Sequence, residues 1–203
     1  MDIVQGFLKL GMIDNAYAAS FELVYACEKL ALLTRELPCH TGHPKARAGV
    51  DKMLLEVIPI RIGYTPEGWF SVVLPALLPK KEKGSTEYIR RVLRLAMQEF
   101  FSKKVPVRLP KCTIIYRHVY DRARPERQYR DHDNMEVNMV TDVVAYYTMI
   151  DDSAMRCSHY YCSAPGMENR TEVYIVPDGE MEEWLIKEES YPDSGIELLE
   201  KRP

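Results

Sequence analysis

Two aspartates one residue apart, Asp131 and Asp133, open an apolar run that closes on a second acidic pair, Asp151 and Asp152. Carboxylates held close together repel at neutral pH unless a cation neutralises them, and hard divalent ions take oxygen ligands of this kind. The pattern points to a divalent-metal site, provided the chain brings its two acidic ends together. Apolar residues at 135, 139, 140, 143, 144, 147 and 150 keep one stripe of a helix against a core. Asp131, Asp133 or Asn134 would cap that helix, where its dipole favours negative charge. Residues 153–163, rich in Tyr, Cys and His, read as the strand that follows. For Asp152 to meet Asp131 and Asp133, that strand must run back past the N-terminus of the helix. An ordinary capped helix followed by an acidic turn has the same pattern, and the residues alone leave both readings open.

Charge is unevenly spread around this segment. The 203 residues carry a net charge of -3, but 178–203 alone hold nine acids against Lys187, Lys201 and Arg202, which leaves 1–177 net positive. Between Lys103 and Arg130 there are nine Lys or Arg and only two acids, Asp121 and Glu126. That stretch is a candidate phosphate-binding surface, or else a solvated basic loop. The acidic C-terminal segment reads as a disordered solubiliser or as a competitor with nucleic acid for the basic face.

The elements that must position these groups fall into three parts. Residues 1–56 form an N-terminal helical arm: one long helix over 13–37, a break over 38–44 and a short helix over 45–56. Apolar side chains on the long helix exceed what one stripe requires, so it needs a partner, either its own core or a second subunit. Residues 57–177 read as strands near 57–64 and 69–74 around the turn Thr65-Pro66-Glu67-Gly68 and a helix from Thr86 to about Ser102. A strand over 111–119, the motif helix over 133–150, and a closing hairpin of 154–162 with 172–176 complete them. The order ββαβαββ predicts an α+β fold, a mixed β-sheet with helices packed on one face, preceded by the helical extension. Residues 178–203 are the acidic tail.

The arginine-rich run 120–130, then D-x-D-N, then a helix, then a D-D pair resembles the RusA-type Holliday-junction resolvases. So does the upstream order of strand 69–74, the proline-bearing basic loop 75–81 and a helix from about Thr86; the likeness covers about residues 57–177. The resemblance implies that Asp131, Asp133 and Asp152 hold catalytic magnesium, with manganese as a possible substitute. It implies further that Arg122, Arg124, Arg127 and Arg130, with Lys80, Lys81 and Lys83 of the basic loop, hold the DNA backbone. A homodimer is implied as well, since a four-way junction presents two symmetry-related strands. Two positions depart from the family pattern. Val137 stands where a lysine is usual, and Thr141, beside Asp142, stands where an aspartate is usual. The lost lysine removes a cation that would stabilise transition-state charge. Glu136, three residues past Asp133, would share its helical face as a substitute metal ligand, or else is a solvated first-turn acid.

The expected function is therefore metal-dependent, structure-selective cleavage of branched DNA such as Holliday junctions. Two alternatives stay open: a catalytically degenerate DNA-binding module of the same fold, and a regulatory subunit working through its N-terminal helix. No run approaches 18 apolar residues and no leader opens the chain, so a soluble, cytoplasmic protein without a membrane partner is expected. Five cysteines fit a reducing compartment. The clusters Cys39/His40/His43 and Cys157/His159/Cys162 lack paired zinc spacing, and no glycine-rich nucleotide loop calls for an organic cofactor.

Overall fold

A computed structural model describes residues 2–79, 86–106, 108–123 and 131–203, apart from the side chains of residues 28, 32 and 86–88. The chain divides into two compact units, Met1–Met53 and Leu54–Pro203. The first holds α1 (Asp2–Lys9), α2 (Ile13–His40) and the start of α3 (Ala46–Val57). α1 packs on α2 and buries Ala16 to 3% exposure. Pro38 sits inside the last turn of α2, where its missing N–H removes the bond that would run back to the Thr34 carbonyl.

The second unit is α+β. Its strands are β1 (Arg61–Tyr64), β2 (Phe70–Leu74), β3 (Cys112–Asp121), β4 (Cys157–Gly166) and β5 (Arg170–Pro177), and its helices are α4 (Thr86–Phe101), α5 (Asn138–Thr148) and α6 (Met181–Glu188). One mixed sheet runs in the order β1-β2-β5-β3-β4, antiparallel throughout except for the parallel pair β3–β4. β3 and β5 lie inside the sheet and are buried along almost their whole length.

Alternate residues divide between two cores. Phe70, Val72, Leu74, Ile114, Tyr116, Val173 and Ile175 face α4 and α5, whose Leu93, Met97, Phe101, Val140 and Val144 close over them. Trp69, Ile115, Tyr174 and Val176 face the other way and meet Trp184 of α6. Residues beyond α6 are packed too. Leu199 exchanges both backbone bonds with Tyr64, each 2.8 Å. A side chain on Gly63 would run into the Leu199 carbonyl at 2.6 Å, so glycine admits this close passage. The acidic C-terminal segment is thus part of the folded unit, not a disordered tail, because Trp184 supplies a large apolar anchor.

Two further expectations differ from the structure. β4 and β5 do not form a hairpin, since β3 lies between them and residues 167–169 cross over its end. Asn169 Oδ1 accepts the Asp121 N–H at 2.9 Å and finishes β3 there. The motif helix begins later than expected: His132–Asn134 is a single 3₁₀ turn, Met135 is extended, and α5 starts at Asn138.

Candidate functional site

β3 and β4 run parallel, and the D-x-D-N turn lies above the C-terminal half of that pair. His132 points toward the sheet, its Nε2 2.7 Å from Ser163 Oγ on β4. Its ring centroid is 5.7 Å from that of His118 on β3 and 6.1 Å from that of Tyr161. With the middle residue turned inward, Asp131 and Asp133 on either side are left exposed. Asp131 occupies the cap position of the turn without a side-chain capping bond, while its carbonyl accepts the Asn134 N–H at 3.2 Å.

The next three residues alternate in and out. Met135 (1% exposed) and Val137 (6%) enter the core, and Glu136 between them is half-buried. Its N–H donates to the Pro79 carbonyl at 2.9 Å, and its Oε1 accepts the Asn138 N–H at 3.0 Å. Glu136 therefore serves the N-terminus of α5, where a carboxylate satisfies an unpaired N–H and complements the dipole. It does not share a helical face with Asp133, because no helix joins them. The Val137 side chain packs in the core, and its carbonyl accepts from Tyr116 Oη at 3.3 Å and Thr141 Oγ1 at 3.1 Å, beneath the helix. Tyr116 Oη and Thr141 Oγ1 are 2.7 Å apart, and burial pushes the Tyr116 phenol well above its usual range.

Asp151 and Asp152 occupy the opposite end of α5. The Ile150 N–H donates to the Leu109 carbonyl at 3.0 Å, and the Cys112 N–H to the Arg156 carbonyl at 2.9 Å, which fixes this turn at the start of β3 and β4. Asp151 accepts Ser153 Oγ at 2.5 Å; that bond, with a smaller contribution from Arg156, holds its carboxyl below the usual range. Asp152 lines an open hollow of about 320 Å3 with Arg108, Asp142 and Tyr146. The stretch from Cys157 to Ser163 amounts to roughly 20 Å of strand at about 3.3 Å per residue. Because β4 is parallel to β3, the chain must return to the start of the sheet before β4 begins, and Asp152 is left there. The structure keeps Asp131 beside Asp133 and does not bring Asp152 to them. Among the described residues, no three His, Cys, Asp or Glu side chains are grouped closely enough to hold a metal ion. Asp131 and Asp133 fit a weaker role as one or two ligands of a magnesium ion otherwise held by water and phosphate.

Of the expected DNA contacts, Arg122 is half-exposed and pairs with Asp193 at 2.6 Å. Arg124, Arg127, Arg130, Lys80, Lys81 and Lys83 lie outside the described residues. Other cations between Lys103 and Arg130 are engaged by the C-terminal segment. Lys111 pairs with Asp178 at 3.0 Å, and Lys104 Nζ donates to the Glu200 carbonyl at 2.8 Å. Arg117 is buried against Glu172 at 3.0 Å and Glu188 at 2.6 Å.

Sequence reasoning missed that last constellation. Glu172 also accepts Arg170 Nε at 2.6 Å and Tyr174 Oη at 2.8 Å, with Arg170 only 2% exposed. Burial first, then the Glu172 charge, raises the Tyr174 phenol. The alternation Arg170-x-Glu172-x-Tyr174 in β5 was the available signal, since residues two apart share a strand face. Also missed was the register pairing of Cys112 with Cys157 across β3–β4. There a hydrogen bond from the Cys112 thiol, aided by His159, holds the Cys157 thiol below its usual range.

Residues 4–201 match the Family of unknown function (DUF6100). No curated protein matches. Among solved structures, the periplasmic domain of Helicobacter pylori MotB (residues 90–256) aligns at 16% identity. The alignment covers 64% of this chain and 86% of that one with a TM-score of 0.32, too low to carry an argument.

Proposed function

We propose that this protein, which belongs to the DUF6100 family, is a DNA-binding module of RusA type that engages branched DNA such as a Holliday junction without a three-carboxylate metal centre. The observation that carries this reading is the separation of Asp152 from Asp131 and Asp133 by the length of α5. The buried Val137 supports it, since an apolar side chain packed in the core stands where the family carries a lysine. Binding would rest on Arg122, Arg124, Arg127 and Arg130, with Lys80, Lys81 and Lys83. These would contact the phosphate backbone and read shape more than sequence.

A second reading is favoured by the exposed, one-residue spacing of Asp131 and Asp133. On it the protein is a magnesium-dependent endonuclease in which these two aspartates hold the ion beside a DNA phosphate. Magnesium, or manganese in its place, would supply an activated water and offset charge on the leaving oxygen. A homodimer would suit either reading, because a four-way junction presents two symmetry-related strands.

The test incubates the protein with labelled four-way junction, fork and linear duplex, with and without magnesium or manganese, beside a folded Asp133→Asn variant. The expected result is preferential binding of branched DNA that weakens steeply with salt, with no cutting by either protein. Metal-dependent cutting that Asp133→Asn abolishes would establish the endonuclease reading instead. Equal, weak binding to all three substrates would remove both.

A further inference from the structure

α2 carries a second pattern that no DNA contact uses. Leu23, Ala26, Leu30, Leu33 and Leu37 follow one another at alternating intervals of three and four residues. This spacing keeps the five on one narrow stripe of the helix, as at the a and d positions of a coiled-coil seam. The four leucines are 45%, 60%, 69% and 58% exposed in chain order, so the seam is open among the described residues of its own unit. Upstream, Ala16 continues the spacing but is covered by α1, and Pro38 follows Leu37 directly. The open seam therefore runs from Leu23 to Leu37.

The flanks of the seam select the partner. Residues immediately before the Leu23, Leu30 and Leu37 positions are Glu22, Lys29 and Glu36. In an antiparallel pair of helices these flanking positions face their own counterparts. Setting Leu30 of one copy against Leu33 of another, and Leu37 against Ala26, brings Lys29 opposite Glu36 twice by symmetry. A parallel pair would instead set these positions against Cys27 and Thr34, which carry no charge to match. We infer that α2 is a self-association surface, pairing antiparallel with α2 of a second copy of this chain through Leu23, Ala26, Leu30, Leu33 and Leu37. The inference does not rest on DNA binding, and neither reading falls with the other.

The experiment measures the mass of the full chain by sedimentation equilibrium over a range of concentrations, without DNA. The wild type is expected at twice the chain mass. Leu30→Glu/Leu33→Glu should run as a monomer whose far-ultraviolet circular dichroism and thermal transition show the C-terminal unit still folded. Lys29→Glu should raise the dissociation constant at least tenfold, and Lys29→Glu/Glu36→Lys should restore it. A wild-type monomer at every concentration would overturn the proposal, as would an oligomer indifferent to the leucine substitutions. Failure of the charge swap to restore what Lys29→Glu loses would overturn the antiparallel alignment.

Discussion

At the scale of single residues, the most informative position is Val137. Its side chain is 6% exposed and its carbonyl is shared by Tyr116 and Thr141. Reinstating the family lysine by Val137→Lys would bury an ammonium beside the hydroxyls of Tyr116 and Thr141. A charge so placed either costs several kcal/mol or is neutralised. The expected outcome is a loss of about 3 kcal/mol in urea unfolding, with no gain of cutting activity. A Val137→Lys protein as stable as wild type and newly able to cut junctions would show the position to be a vacant catalytic site. The residue pattern allowed this error for a physical reason. Apolar residues at 135 and 137 are two apart, the period of extended chain, and those at 140, 143 and 144 have the period of a helix. Counting Met135 in one stripe with 139, 140, 143 and 144 places the helix start at Asp133, and with it Glu136 on the face of Asp133.

At the scale of elements, α4, β2 and β3 were legible because each carries its own period and is bounded by turn residues. The partner of β4 was not legible. Two neighbouring apolar stretches with Pro165-Gly166 at their junction look like a hairpin, and local pattern cannot say that a strand laid down earlier has entered between them. What betrays the arrangement is Gly166. A Cβ there would run into Val119 Cγ1 on the strand beneath and approach the Asp193 carbonyl at 3.2 Å, because the chain must cross β3 at close range. Gly166→Ala should therefore act as overpacking at a site that cannot relax, costing about 1–3 kcal/mol. At roughly 2–4 °C per kcal/mol for a chain of this size, the thermal midpoint should fall by several degrees. In a true hairpin turn with open space above it, the substitution would be neutral, and a thermal scan distinguishes the two.

At the scale of the whole molecule, composition misled most at the C-terminus. Nine acids in 26 residues suggest a solvated tail, yet three of them hold cations of the folded unit. Asp178, Glu188 and Asp193 meet Lys111, Arg117 and Arg122, and Trp184 is 1% exposed, its ring 5.6 Å from that of Tyr174. The ion pairs at Lys111 and Arg122 are about half exposed and contribute little each. The indole carries the attachment: it anchors α6, which in turn delivers Glu188 to the buried Arg117. Trp184→Ala should remove about 3–5 kcal/mol, the usual cost of deleting a large buried aromatic. It should also expose the second core, so that trypsin cuts the C-terminal segment faster than in the wild type. If the segment were a solvated tail, wild type and variant would be cut there equally fast and would unfold at the same urea concentration. A wild type that resists cleavage beyond Glu188, beside a variant that does not, is the expected result, and it would show why net charge is a poor guide to order where one tryptophan is present to be buried.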